Sequence, residues 1–249
     1  MSHRKMFLVF FLFVGLCFAW VRRRSLCHEV AALGYLEDAS LLTAHAFAHT
    51  PTYVHICGPD SSLSERIKLL SWMFRKNIQL REKCCHFCVE DTQLACSFML
   101  LPPDTTPLSL FRMVSAGLWQ MPWRFGLAAM RRLLAIKDWF EQIEQEVRSA
   151  DGRPMYSIER MVVDPKCQGK GKGSKYLSFA FEKLEQQYRS KSGDGKTCVE
   201  PVVILATQST RNVKFYSRLG FKVVREEDYK DPNTGQVAFH SWWMIREPG

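Results

Sequence analysis

The chain has 249 residues and a formal net charge of +9, with 47% hydrophobic and 24% charged residues. That balance is ordinary for a globular protein and excludes a disordered tail protein, a collagen and a polytopic membrane protein. The length admits one large domain or two small ones, with a core that needs no metal or disulfide staple.

The charge is uneven. Arg4, Lys5, Arg22, Arg23 and Arg24 flank an uncharged 16-residue apolar run at 6–21, and the rest of the chain carries about +4. A spanning helix needs about 20 apolar residues, so the run is marginal. The three arginines after it favour a short N-terminal anchor with a cytosolic domain. A cleaved targeting signal with its exit near Ala19 and an erroneous start are the other readings. No basic face with interleaved aromatic platforms suggests nucleic acid. The cysteine count is nine, odd and irregularly spaced, which reads as reduced thiols rather than a disulfide framework. Cys84, Cys85, His86 and Cys88 lack the second ligand pair that zinc favours and read as a strand. No metal is expected.

Residues 26–32 predict a first strand. A helix opens at Leu36, with Glu37 and Asp38 in its first turn, and ends at Pro51. A second helix begins near Ser62, three residues before Glu65 at capping-box spacing, and carries Ile67, Leu70, Met73, Phe74 and Ile78 on one face. Residues 84–89 and 95–101 predict a hairpin. Residues 107–149 are helical and rich in Trp119, Trp123, Phe125, Trp139 and Phe140. Those aromatics either fill a core between helices or wall a cleft, with Arg124, Arg131, Arg132 and Lys137 facing acidic partners or a membrane. The second half alternates: strand 158–163, helix 174–189, strand 201–207, helix 212–219 ended by Gly220, and strands 221–225 and 237–245 around a turn at Pro232-Asn233-Thr234-Gly235. Strand–helix alternation implies parallel strands with crossovers.

The chemistry concentrates in Val163-Asp164-Pro165-Lys166-Cys167-Gln168-Gly169-Lys170-Gly171-Lys172-Gly173-Ser174. A strand enters a glycine-rich turn and then a helix. Backbone N–H groups of such a turn, with the helix N-terminus, form an anion site suited to pyrophosphate, and Lys170 and Lys172 add charge. A tight strand–helix turn with no ligand is the plain alternative. The spacing fits neither the ATPase phosphate loop nor the dinucleotide fingerprint.

A second segment follows: Leu205-Ala206-Thr207, Asn212, and Phe215 through Phe221. Gln168-x-x-Gly171-x-Gly173 after Val163-Asp164-Pro165, then Asn212-x-x-x-Tyr216-x-x-x-Gly220-Phe221, resembles the GNAT superfamily of N-acetyltransferases, most strongly over 155–226. The resemblance implies an α/β fold: a mixed, strongly twisted central sheet flanked by helices, as one domain at 25–249 with a helical insertion near 107–149, after a separate segment at 1–24. Ala46 to Pro51 is similar to the small-molecule acetyltransferases of that superfamily.

The resemblance implies acetyl-CoA as co-substrate and direct attack by a primary amine in a ternary complex. The pantetheine arm would lie along the strand at Met161 and Val163, and the phosphates at Gln168, Gly169, Lys170, Gly171, Lys172, Gly173 and Ser174. Asn212 would bond the arm or else cap its helix. Glu159 would be the base, acting through water, with burial raising its pKa, or else a charge on the sheet rim. Tyr216 would protonate the leaving thiolate or else pack. Gln168 replaces the more usual Arg. Ser157 stands where relatives place an acid or His. His240 is a weaker candidate for substrate contact, and Cys167 sits too far from the acyl end to be a nucleophile. The acceptor would be a small-molecule or peptide amine, with membrane association through 6–21. A tethered, non-catalytic acyl-CoA-binding module and a longer-chain acyltransferase are the competing functions.

Overall fold

The computed structural model describes residues 34–105, 110–191 and 201–249. The expected anchor at 6–21 and strand at 26–32 lie outside the described residues. Among the described residues no helix is long and apolar enough to cross a membrane.

Helix α1 spans Leu36–Phe47. The sequence places its end at Pro51. Instead α1 stops at Phe47, and Pro51 opens a second helix, α2, Pro51–Cys57. Proline suits a first helical position, where its missing N–H costs nothing and its fixed φ is already helical. Helix α3, Leu63–Leu80, starts as expected at a capping box. Ser62 Oγ accepts from the Glu65 N–H at 3.2 Å, and the Glu65 carboxylate accepts from the Ser62 N–H at 2.9 Å. Its apolar face buries Leu70, Met73, Phe74 and Ile78.

Strands β1, Cys85–Glu90, and β2, Gln93–Leu101, form the hairpin. Asp91 and Thr92 both turn through positive φ, the geometry that matches the twist of paired strands. The aromatic-rich region then divides. A short α4, Leu110–Ser115, leads into the long α5, Met121–Asp151, which kinks at Gly126. Trp139 and Phe140 are core residues, packed edge-on and tilted against Trp243 at 5.3 and 5.5 Å. Trp119 and Trp123 stand on the surface, 55% and 78% exposed.

Strand β3, Met155–Val163, leads to α6, Lys172–Lys191. Then follow β4, Val202–Thr207; α7, Thr210–Ser217; β5, Phe221–Lys230; and β6, Val237–Arg246. The six strands form one mixed sheet in the order β1-β2-β3-β4-β6-β5, in which only β3 and β4 run parallel. Period-2 alternation sorts the side chains onto its two faces. Cys96, Phe98, Leu100 and Ile158 pack with Leu177, Phe181 and Leu184 of α6. On the opposite face Met99 and Leu101 meet α1 and α3, while Met155, Ile204 and Trp243 meet Ile143 of α5. Tyr35–Gly249 behaves as one compact unit.

Candidate active site

The site is a place where two parallel strands part. β3 and β4 pair only through Met155 with Val202, Tyr156 with Val203 and Ser157 with Ile204. Beyond Ser157, β3 continues with β2 as its partner and β4 continues with β6. A β-bulge lies at the divergence. Between the pairs Met99–Glu159 and Ser97–Val162, Arg160 and Met161 of β3 face Phe98 alone. Arg160 takes φ +52, a left-handed conformation for a non-glycine residue. Such a bulge bends the strand that carries it. Among the described residues no strand pairs the β4-facing edge of residues 158–163, which is the geometry an extended, hydrogen-bonding ligand requires.

The glycine turn closes one end of this opening. Gly169 and Gly171 have φ of +73 and +71, so the backbone can curl ahead of α6. Gly173, in the first turn of α6, is there for closeness. A Cβ on it would stand 3.0 Å from Val163 Cγ2 and 3.3 Å from Met161 Cε. Ser174 follows, partly buried, in the same turn. Gln168 folds back and donates its amide to the Val163 carbonyl at 3.0 Å. Lys170 is exposed. Lys172 reaches across to β1, where its ammonium donates to Glu90 at 2.7 Å. Tyr176 donates to the same carboxylate oxygen at 2.8 Å. These hydrogen bonds, Lys172 first, hold the Glu90 carboxyl below the usual carboxylate range, and the same pairing raises Lys172. The sequence did not flag Glu90, which lies 82 positions from Lys172.

Tyr216 projects from α7 into the core on the α6 face. It is buried, 5.0 Å from the Phe215 ring and 5.6 Å from Phe221. Burial, with a smaller contribution from Cys96, pushes its pKa above the ordinary tyrosine value. It therefore stays protonated and keeps its O–H available to donate through neutral pH. Met161 and Val163 pack against the same cluster. The Cys96 thiol reaches the Met161 sulfur at 3.7 Å. Asn212 does not cap its helix: it lies inside α7, whose N-cap is Ser209. Its amide donates instead to Thr207 Oγ1 at 3.1 Å, at the end of β4.

Glu159 and Arg160 point to the other face. Their side chains form a 2.5 Å ion pair, and are 36% and 22% exposed. The Arg160 guanidinium lies 5.6 Å over Phe74 of α3 and beside Tyr53 of α2. Burial opposes its charge, but Glu159 and Tyr53 more than offset that and keep it cationic. Helix α2 is tied to the end of β4, where the Gln208 amide and Thr52 hydroxyl meet. The opening between β3 and β4 is thus bounded by α6 and α7 on one face and by α1–α3 on the other.

Ser157 is structural: its hydroxyl donates to Glu144 of α5 at 2.9 Å and accepts from Arg148. His240 sits between two carboxylates of β5, Asp228 at 2.7 Å and Glu226 at 3.4 Å. Cys167 is in the short 3-10 turn Pro165–Cys167. A separate cavity of about 330 Å³, lined by Glu146, Val147, Asp151, Val224, Arg225 and Ile245, contains none of these residues.

Residues 134–223 match the family model described as acetyltransferase (GNAT) domain. Over these residues the chain is similar to GNAT acetyltransferase domains. The match runs from the second half of α5 through β3, the glycine turn, α6, β4 and α7 into β5. Two solved structures share the fold of this chain. One, described as histone acetyltransferase HPA2 and related acetyltransferase from Corynebacterium glutamicum, is 18% identical, with a TM-score of 0.52 over 87% of this chain and 92% of its own. The other, the C-terminal condensation domain of Ebony in complex with beta-alanyl-dopamine, is 10% identical, with a TM-score of 0.55 over 86% of this chain and 95% of its own. No curated protein sequence matches the chain.

Proposed function

We propose that this chain transfers the acetyl group of acetyl-CoA to a primary amine by direct attack in a ternary complex. The observation that carries the reading is the parting of β3 from β4 directly beside a glycine turn at a helix N-terminus. The turn supplies backbone N–H groups for the coenzyme's phosphates. The edge of β3 at Met161 and Val163, which no described strand pairs on its β4 side, suits its amide-bearing arm once the Gln168 amide leaves the Val163 carbonyl, and the missing Cβ of Gly173 lets turn and strand lie close. Asn212 stands at the far side of the opening.

Starting from the ammonium, the nitrogen loses two protons, one before attack and one as the amide forms, while the sulfur gains one and one is released to solvent. An alkylammonium with an ordinary pKa near 10.4 must lose a proton before it attacks. As the new C–N bond forms and the C–S bond breaks, the amine proton passes to Glu159, through water, and the departing sulfur takes a proton from the Tyr216 hydroxyl. Glu159 accepts its proton only when the pair with Arg160 gives way. Residues 25–249 are the catalytic domain in this reading, and 1–24 are a separate anchoring or targeting segment.

The test is mass spectrometry of an extract of small amines and peptides after incubation with isotope-labelled acetyl-CoA. Labelled N-acetyl products are expected. Coenzyme A binding without any labelled amine would replace the reading with a non-catalytic acyl-CoA-binding module.

A second expected result concerns Lys172. Its charge is spent on Glu90 in this structure. Glu90→Gln should free it for a phosphate and tighten coenzyme A binding about two- to five-fold, the scale of a partly exposed ion pair. The pair exists above the carboxylate's ordinary pKa and is lost as pH falls through the lowered value of Glu90. Calorimetric Kd values for the wild type and the variant should therefore converge in acid. Equal Kd values at pH 7 would remove Lys172 from the phosphate site.

A further inference from the structure

We propose that Arg160 is the recognition point for a negatively charged group on the acceptor, so that the preferred amine carries a carboxylate, as an amino acid or a peptide terminus does. This rests on the acetyltransferase reading for its location and on separate observations for its content. The phosphate turn and Tyr216 lie with α6 and α7 on one face of the opening. A nucleophile that must reach the acetyl carbonyl comes from the opposite face, where α1–α3 stand. The cation met there is Arg160.

Three features set Arg160 apart from an ordinary ion-pair residue. It holds φ +52 inside a strand, at the extra position of the bulge. Strain of this kind persists where the surrounding structure fixes it, and it clusters at binding sites. Its partner is its own neighbour Glu159, engaged through Nη1, while Nε is buried and has no hydrogen-bond partner. A guanidinium presents donors in a fork that matches a carboxylate; here Glu159 takes only a one-oxygen contact, Tyr53 supplies a second hydrogen bond, and Nε is left unused. Third, its surroundings are aromatic and thioether: the Phe74 ring, Tyr53, and Met99 Sδ at 3.8 Å from Nη1. In such a site a second anion gains more from the cation than it would in water.

The arrangement also couples binding to chemistry. A carboxylate that takes over the guanidinium releases the Glu159 carboxylate, the proposed proton acceptor. Amines without an anionic group would leave Glu159 paired.

The experiment uses the full chain and reads binding as well as turnover. N-acetylphenylalanine and N-phenethylacetamide are product-like probes that differ by the carboxylate, and calorimetry measures their affinity in the presence of coenzyme A. The wild type is expected to bind the carboxylated probe at least tenfold more tightly. Arg160→Gly suits the positive φ, so the fold is retained and Tm is unchanged or raised; it should abolish that preference. Arg160→Lys should restore part of it. Coenzyme A affinity should be the same in all three. For turnover, phenylalanine and phenethylamine should differ in both KM and kcat in the wild type and in neither in Arg160→Gly. Equal binding of the two probes by the wild type, binding of neither, or a preference that survives in Arg160→Gly would each overturn the proposal. Absence of turnover with intact carboxylate discrimination would instead count against acetyl transfer and leave the anion site standing.

Discussion

Replacing Tyr216 by phenylalanine is expected to lower kcat about 10²-fold, with KM for acetyl-CoA nearly unchanged. The substitution removes one hydroxyl and keeps the ring, so the contacts with Phe215 and Phe221 survive. The change in unfolding free energy should stay within about 1 kcal/mol, since no cavity opens in the core. The pH profile gives a second check with a definite sign. Burial moves the Tyr216 pKa upward from 10.0. The protonated, donating form is therefore present at every pH below that, and kcat should show no alkaline fall from this group below about pH 10. Steady-state rates of both proteins across pH 6–10 decide it. A kcat within twofold of wild type would make Tyr216 a packing residue only. An alkaline limb near neutrality that vanishes in the variant would contradict the raised pKa.

Gly173→Val should raise the Kd for coenzyme A by at least tenfold and lower stability by about 1–3 kcal/mol, the cost of overpacking a filled site. The added Cβ would stand 3.0 Å from Val163 Cγ2, 3.3 Å from Met161 Cε and 3.4 Å from Phe215 Cζ. Two of those atoms belong to β3, so the start of α6 must move off the strand that borders the opening. Gly171→Ala separates geometry from space. Nothing lies within 4 Å of its Cβ position, but φ is +71. Its penalty comes from the left-handed backbone alone, about 1–2 kcal/mol, and its effect on Kd should be smaller than that of Gly173→Val. Thermal melts and calorimetry measure both quantities. Wild-type affinity in Gly173→Val would detach the glycine turn from the coenzyme.

Much of the fold was legible from local pattern. The capping box at Ser62 and Glu65 marked the start of α3 because both partners lie within one turn, and the apolar spacing of Leu70, Met73, Phe74 and Ile78 marked its buried face. The alternation of β3, α6, β4 and α7 could be read for the same reason. Pro51 differs from its sequence expectation because proline signals a helix boundary without saying which end it belongs to. It opens α2. The aromatics of 107–149 could not be sorted by composition. Trp139 packs inward because β5 and β6 lie beneath it, whereas no layer among the described residues covers Trp123.

At the site, the residues joined by short spacing can be read along the chain: the glycine turn from Gln168 to Ser174 and the run from Asn212 to Phe221. Turn and helix-start chemistry depends on neighbours along the chain, so it survives in one dimension. The tertiary structure decided everything that depends on distant partners. Lys172 is neutralised by Glu90 on β1, and Glu159 is tied up by Arg160. No motif announces a bulge that holds an arginine at positive φ, because the register between β2 and β3 creates it. The charge of +9 showed that cations were plentiful. Only the fold determined which of them are paired and which face the opening between β3 and β4.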